Sequence, residues 1–314
     1  MSSLTWAEAG VTGLLQGVTE LFPVSSLGHS VLIPAMVGGR WAQDLDMSRS
    51  GSQYLSFVVA LHVATAIGLI VYFRRDWVRL IGALFTTFRT RRIETGDQKL
   101  IWMVIAATIP VGLVGLAGDH FMRTHLAKPF PTAVLLIVNG AVLLAIEGLA
   151  ARGGSRGGTH RAGPGAAPAP SVYVDERVSG PESDARLAHL GFGSAIAIGA
   201  AQILALAPGI SRSGVTTAAG LGKGLSREDA ARFAFLLATP VILAAGLLKL
   251  PELFVDGSGI WPQVLFGSVL SGVGAYLSVR FLTRYLATRT MRPFGIYCIL
   301  AGSVALVWLG ATAV

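Results

Sequence analysis

One cysteine, Cys298, stands in 314 residues, and only 13% of the chain is charged. A lone thiol excludes an intrachain disulfide and a cysteine-rich metal site. The shortage of charge excludes an ordinary soluble domain, in which roughly 25% of residues are Asp, Glu, Lys or Arg. A cleavable signal peptide is missing as well. The N-terminus has no basic n-region, and its first apolar run carries Glu8, Gln16 and Glu20, so this segment is expected to stay in the mature protein.

What the chain has is apolar length, with 53% hydrophobic residues. Stretches of about 20 residues, enough to cross a roughly 30 Å hydrocarbon core, lie near 54–73, 100–117, 131–149, 231–250, 262–280 and 293–312. They are expected to form six spanning helices. Two more apolar regions, about 4–36 and 188–222, are interrupted by Pro and Gly. Non-helical backbone survives at membrane depth only where protein or a polar cavity shields it, so these regions are expected to be two re-entrant helix pairs. The fold class is an all-α polytopic membrane protein.

The net charge of +8 does not point to nucleic acid, because the basic residues cluster between spans. Arg74, Arg75, Arg79, Arg89, Arg91, Arg92 and Lys99 fill one connection, and Arg280, Arg284, Arg289 and Arg292 another. The positive-inside rule places 74–99, 151–187 and 281–292 in the cytoplasm. Residues 151–187, with Gly153-Gly-Ser-Arg-Gly-Gly158 and a Gly/Pro/Ala run, lack apolar periodicity and read as a flexible linker. It divides the chain into 1–150 and 188–314. The halves echo each other: Gly13-Leu-Leu-Gln16 up to Gly28 resembles Gly199-Ala-Ala-Gln202 up to Gly214. With an odd number of spans in each half, they would be oppositely oriented, forming an inverted-topology repeat whose broken segments meet near the midplane.

Those broken segments hold the polar side chains. Gln16 and Glu20, four apart, share a helix face, and the helix must end near Pro23. Ser25, Ser26, Gly28 and His29 then fall in the turn beside Glu20. In the second segment, Pro208-Gly-Ile-Ser-Arg-Ser-Gly-Val-Thr216 sets Arg212 among Ser211, Ser213, Gly209, Gly214 and Thr216. Arginine's planar fork matches phosphate oxygens, and Gly209 and Gly214 allow the close backbone approach of an anion-binding nest. A helix starting here would add N–H donors. Glu20 can act as a base, hold a divalent ion or orient His29. Taken singly, Pro-Val-Ser-Ser could be a helix stop, His29 an interhelical donor and Glu20 the partner of a structural Arg. Ionisable groups in hydrocarbon are costly, however, and their concentration in two matching breaks points to a phosphate site. His62 and Asn139, lone polar residues in spans, read as helix–helix contacts.

The segments Gln16…Glu20, Pro23-Val-Ser-Ser-Leu-Gly-His29 and Pro208-Gly-Ile-Ser-Arg-Ser-Gly-Val-Thr216 resemble the motifs of the undecaprenyl-diphosphate phosphatase family, membrane proteins linked to bacitracin resistance. The likeness extends to Tyr72-Phe-Arg-Arg-Asp76, Ile109-Pro110 and the overall length. It implies hydrolysis of a C55 isoprenyl diphosphate to the monophosphate carrier, a bacterial cell-membrane location, a site facing outward, and assistance from Mg²⁺ or Ca²⁺. Glu20, Ser26, His29 and Arg212 become the expected catalytic residues, with Glu20 also the candidate metal ligand. Gln16, Ser25, Gly209, Ser211, Ser213, Gly214 and Thr216 would bind substrate. Gln16 stands where many relatives have Glu, and Leu27 where many have Thr, which weakens any mechanism needing two carboxylates. Attack by Ser26, by His29 or by water stays open; triad logic favours Ser26 with His29 as base and Glu20 as its orienter. A transporter of polyprenyl phosphate lipids and a lipid-phosphate scaffold are the rival functions. The expected partners are the polyprenyl diphosphate lipid and the bilayer, with no nucleic acid; a homodimer is left open.

Overall fold

Pro23 and Pro208 interrupt helices where apolar sequence alone would carry them on, and the architecture follows from those breaks. The computed structural model describes residues 4–46, 53–121, 125–154, 179–256 and 259–312. Regular structure among them is helical: α1 (Trp6–Thr19), α2 (Ser26–Val37), α3 (Gly39–Asp44), α4 (Gln53–Tyr72), α5 (Arg74–Thr90), α6 (Gly96–Phe121), α7 (Pro129–Gly154), α8 (Ser179–Ala188), α9 (Phe192–Ala200) with a 3₁₀ turn (Ala201–Leu206), α10 (Arg212–Gly222), α11 (Arg227–Asp256), α12 (Trp261–Thr288) and α13 (Arg292–Thr312).

Among the described residues, six helices are long and apolar enough to cross a bilayer: Tyr54–Tyr72, Gly96–Gly118, Pro129–Arg152, Arg227–Leu248, Trp261–Thr288 and Arg292–Thr312. Each contains, within a few residues, one of the six stretches expected from hydropathy. The protein is thus a multi-pass membrane protein. The four helices around the breaks, α1, α2, α9 and α10, have 14, 12, 9 and 11 residues. At about 1.5 Å per residue they are too short to cross.

The local signals are chemically explicit. A capping box opens α1: Thr5 Oγ1 accepts from the Glu8 N–H at 3.2 Å and the Glu8 carboxylate accepts from the Thr5 N–H at 2.8 Å. Ser226 caps α11, accepting from the Asp229 N–H at 3.0 Å. Packing between the halves is reciprocal. The first short helix of each half lies on the middle span of the other, α1 on α12 and α9 on α6, while α4 packs on α11 and α7 on α13. Small residues permit these approaches, since a Cβ on Gly17 would run into the Ser271 carbonyl and one on Gly199 into that of Ala107.

The basic connection 74–99 is not a plain loop. Residues 74–90 form α5, which buries Leu80 and leaves Val78, Ile81, Phe85 and Phe88 exposed. The expected linker is also shorter than 151–187: 151–154 complete α7, 179–187 belong to α8, and 155–178 lie outside the described residues. Asp184 of α8 pairs with Arg79 of α5 and, at 2.9 Å, with Arg232 of α11, while Arg186 reaches Asp229 at 2.8 Å. These ion pairs fasten α8 to the bundle.

Candidate active site

Glu20 caps the C-terminus of α1 and is buried. One turn earlier on the same face, Gln16 Nε2 donates to Glu20 Oε2 at 2.9 Å, as the four-residue spacing requires. The chain turns through 21–24 and enters α2 at Ser26, whose hydroxyl donates to the same Oε2. The other carboxylate oxygen, Oε1, pairs with the guanidinium of Arg212, the first residue of α10. One carboxylate therefore joins the two sequence motifs.

The loops that present these groups hold each other directly. Ser25 adopts φ 68°, a left-handed conformation uncommon outside glycine. Its Oγ accepts from Gly28 N at 3.2 Å within its own loop and from Gly209 N at 3.1 Å in the other. Asn139 of α7 bridges the pair a second time, donating to the Pro23 carbonyl at 3.1 Å and accepting from the Ser211 N–H at 3.0 Å. Its reading as an interhelical contact was right in kind, but what it joins is the two motif loops. Gly209 has φ 106°, and a Cβ there would lie 2.5 Å from the Thr132 carbonyl and 2.8 Å from Leu135 Cβ. Strain of this sort costs about 1–3 kcal/mol before the clash is counted. Gly209→Ala should therefore lower the thermal unfolding temperature in detergent and displace both loops; an unfolding temperature within a degree of the parent would contradict this packing.

The remaining second-motif hydroxyls brace the loops. Ser211 Oγ accepts from Gly214 N at 3.2 Å as the N-cap of α10. Ser213 Oγ donates to the Phe22 carbonyl at 3.3 Å, and Thr216 Oγ1 to the Arg212 carbonyl at 2.7 Å. Gly214 packs closely, with space for its own hydrogens but little more, against Pro23 and Ser211.

His29 does not take the position that triad logic expects. It lies one turn into α2, with Nδ1 at 2.7 Å from the Ser25 carbonyl and Nε2 at 2.7 Å from the Tyr297 hydroxyl, its ring stacked on that of Tyr297. A carbonyl only accepts, so Nδ1 carries a proton, and in the neutral ring Tyr297 donates to Nε2. Both ring nitrogens are engaged away from Ser26 and Glu20. Instead, His62 of α4 reaches the carboxylate, Nε2 lying 3.3 Å from Glu20 Oε2 while Nδ1 donates to the Val58 carbonyl at 2.8 Å. Sequence reasoning missed both His62 and Tyr297. The available signal for His62 was a histidine in an otherwise apolar span.

These groups open onto a cavity of about 750 Å³. Glu20, Ser25, Ser26, His62, Ser211 and Arg212 form its polar wall, and α4, α6 and α11 supply apolar walls through residues such as Val58, Val111, Leu116, Val241 and Leu248. Gln202, whose place in the second half echoes Gln16, is also on the wall, and among the described residues its amide finds no hydrogen-bond partner. Gln16, His29, Gly209, Ser213, Gly214 and Thr216 stand outside the wall and support it.

The donor set does not fit a resident divalent ion. Mg²⁺ and Ca²⁺ seek several hard oxygen ligands. Among the described residues, Glu20 is the sole carboxylate on the wall, both its oxygens are engaged, and no group of three or more His, Cys, Asp or Glu is placed to hold a metal.

A family model described as bacitracin resistance protein BacA matches residues 9–304. The chain belongs to this family. Among curated relatives, an undecaprenyl-diphosphatase of Mycolicibacterium paratuberculosis (strain ATCC BAA-968 / K-10) is 57% identical over 308 residues, covering 98% of both chains. One of Mycobacterium avium (strain 104) is 56% identical over 310 residues with the same coverage. More distantly, undecaprenyl-diphosphatase 2 of Chromobacterium violaceum is 41% identical over 306 residues, covering 96% of this chain and 98% of the relative. The BacA match takes in every residue of the cavity wall.

Proposed function

We propose that this BacA-family protein hydrolyses undecaprenyl diphosphate to undecaprenyl phosphate and inorganic phosphate, returning the lipid carrier for cell-wall synthesis. One observation carries the reading: Glu20, Ser26 and Arg212 converge from two loops onto a cavity whose remaining walls are apolar. A phosphate-cleaving constellation beside a largely apolar space suits an isoprenyl diphosphate. The near-full-length relatives named undecaprenyl-diphosphatase support the same substrate.

In the proposed reaction the terminal phosphate replaces Glu20 as the partner of Arg212, whose fork binds its oxygens and offsets charge in the transition state. The N-terminus of α10 adds N–H donors. Freed on Oε1, Glu20 takes the Ser26 proton through Oε2. Ser26 Oγ attacks the terminal phosphorus, the bond to the bridging oxygen breaks, and the lipid leaves as its monophosphate. Glu20 passes that proton to the departing phosphate oxygen; water, with Glu20 again as base, then cleaves the phosphoserine, giving inorganic phosphate and returning the proton to Ser26 Oγ. Any Mg²⁺ or Ca²⁺ would come with the diphosphate and not be held by the protein, and would supply further charge neutralisation.

The site is proposed to open outward. The cavity takes Leu55 to His62 from α4, Thr108 to Leu116 from α6 and Pro240 to Leu248 from α11. In each case this is the half of the span remote from the basic 74–99 connection or, for α11, from its Arg227 end. Reciprocal packing of the short helices supports the inverted-repeat reading, with the α1–α2 and α9–α10 pairs re-entering from opposite sides.

Purified protein in detergent or liposomes should release phosphate from undecaprenyl diphosphate, and Glu20→Gln should abolish most of that release. Movement of the labelled lipid between leaflets with no phosphate release would favour the transporter instead.

A further inference from the structure

Glu20 has a difficulty built into the proposed reaction: Arg212, the partner of its Oε1, must turn to the substrate exactly when the carboxylate is needed on Ser26. Gln16 cannot hold Glu20 alone, because it lies on the same helix and moves with it. Resting on the phosphatase reading, we propose that His62 is the positioning residue that keeps the Glu20 carboxylate on Ser26 once Arg212 has moved to phosphate.

Three observations carry this. His62 Nε2 lies 3.3 Å from Oε2, the same oxygen to which Ser26 donates, so it acts on the reacting side of the carboxylate. Its ring is fixed independently of both motif loops: Nδ1 donates to Val58 one turn back on α4 at 2.8 Å. The carbonyl of Val58 only accepts, so Nδ1 carries a proton and the Nε2 edge is the one turned to the carboxylate. Among the described residues, Glu20, His62 and Arg212 are the only ionisable side chains on the cavity wall. No other charged group of the wall can replace Arg212 as the anchor of Glu20.

The test compares His62→Leu and His62→Gln with the parent for kcat, KM and unfolding temperature on undecaprenyl diphosphate. Loss of a polar partner to a charged group corresponds to about a 10- to 100-fold effect. His62→Leu should lower kcat by about that factor, with KM and unfolding temperature near those of the parent. His62→Gln returns an N–H donor at similar reach and should restore kcat to within about fivefold. Should the leucine variant not fold, His62→Met takes its place. Three results overturn the assignment: kcat of His62→Leu within twofold of the parent, equal loss in both folded variants, or activity that falls only in step with unfolding temperature. A parent protein that releases no phosphate overturns the phosphatase reading, and this assignment with it; phosphate release by the parent with any of those three results overturns the assignment alone.

Discussion

Arg212→Lys should lower kcat/KM on the diphosphate lipid by about 10²- to 10³-fold, the loss typical of removing one preorganised donor from a developing charge, while expression and unfolding temperature stay near those of the parent. Lysine keeps a positive charge beside Glu20, so the buried carboxylate is not orphaned. It offers one compact ammonium where arginine offers a planar fork, and two phosphate oxygens cannot be held in the same geometry. Arg212→Ala is the informative contrast. It leaves Glu20, whose side chain is 4% exposed, without its Oε1 partner, and breaking a buried pair in this way costs about 3–5 kcal/mol. The alanine variant should lose both activity and stability, the lysine variant activity alone. Near-parental kcat/KM for Arg212→Lys would remove Arg212 as the phosphate ligand.

Ser26→Ala should lower turnover further, on the order of 10⁴-fold, because the nucleophile is gone while the phosphate clamp remains. Its effect on stability should be small. Glu20 keeps Gln16, His62 and Arg212 as partners, and alanine is well tolerated in the first turn of a helix. Steady-state phosphate release in detergent measures the loss, and a variant retaining a tenth of parental turnover would rule Ser26 out as the attacking group.

How far the sequence alone reaches is best seen residue by residue. The six spans are legible because nothing but lipid rewards a 20-residue apolar stretch, and Gln16 with Glu20 is legible because a helix fixes residues four apart on one face. Glu20 and Arg212, 192 residues apart, could be assigned to one site through the chemistry each motif shares with the other, yet their direct pairing depends on tertiary structure. His29 shows the limit of proximity as an argument. Three residues from Ser26, it belonged to the expected triad, but α2 begins at Ser26, and one turn of helix carries the imidazole to the Ser25 carbonyl and to Tyr297, 268 positions away. His62 is the converse. A lone histidine in a span looks like interhelical contact, and only the packing of α4 near the end of α1 brings it to Glu20. In 74–99 the periodic signal was present, with Trp77, Ile81, Leu84 and Phe88 at helical spacing. The arginines around them masked an amphipathic helix as a charged loop.

The central claim is that Ser26, activated by Glu20, forms a phosphoserine on the path to phosphate. A single turnover of labelled diphosphate lipid, quenched in acid and analysed by peptide mass, tests it directly, since phosphoserine survives acid. The account predicts a phosphoryl group on Ser26 in the parent and none in Ser26→Ala. A phosphate burst with no label at Ser26, or an acid-labile, base-stable adduct at His29 in its place, would contradict it.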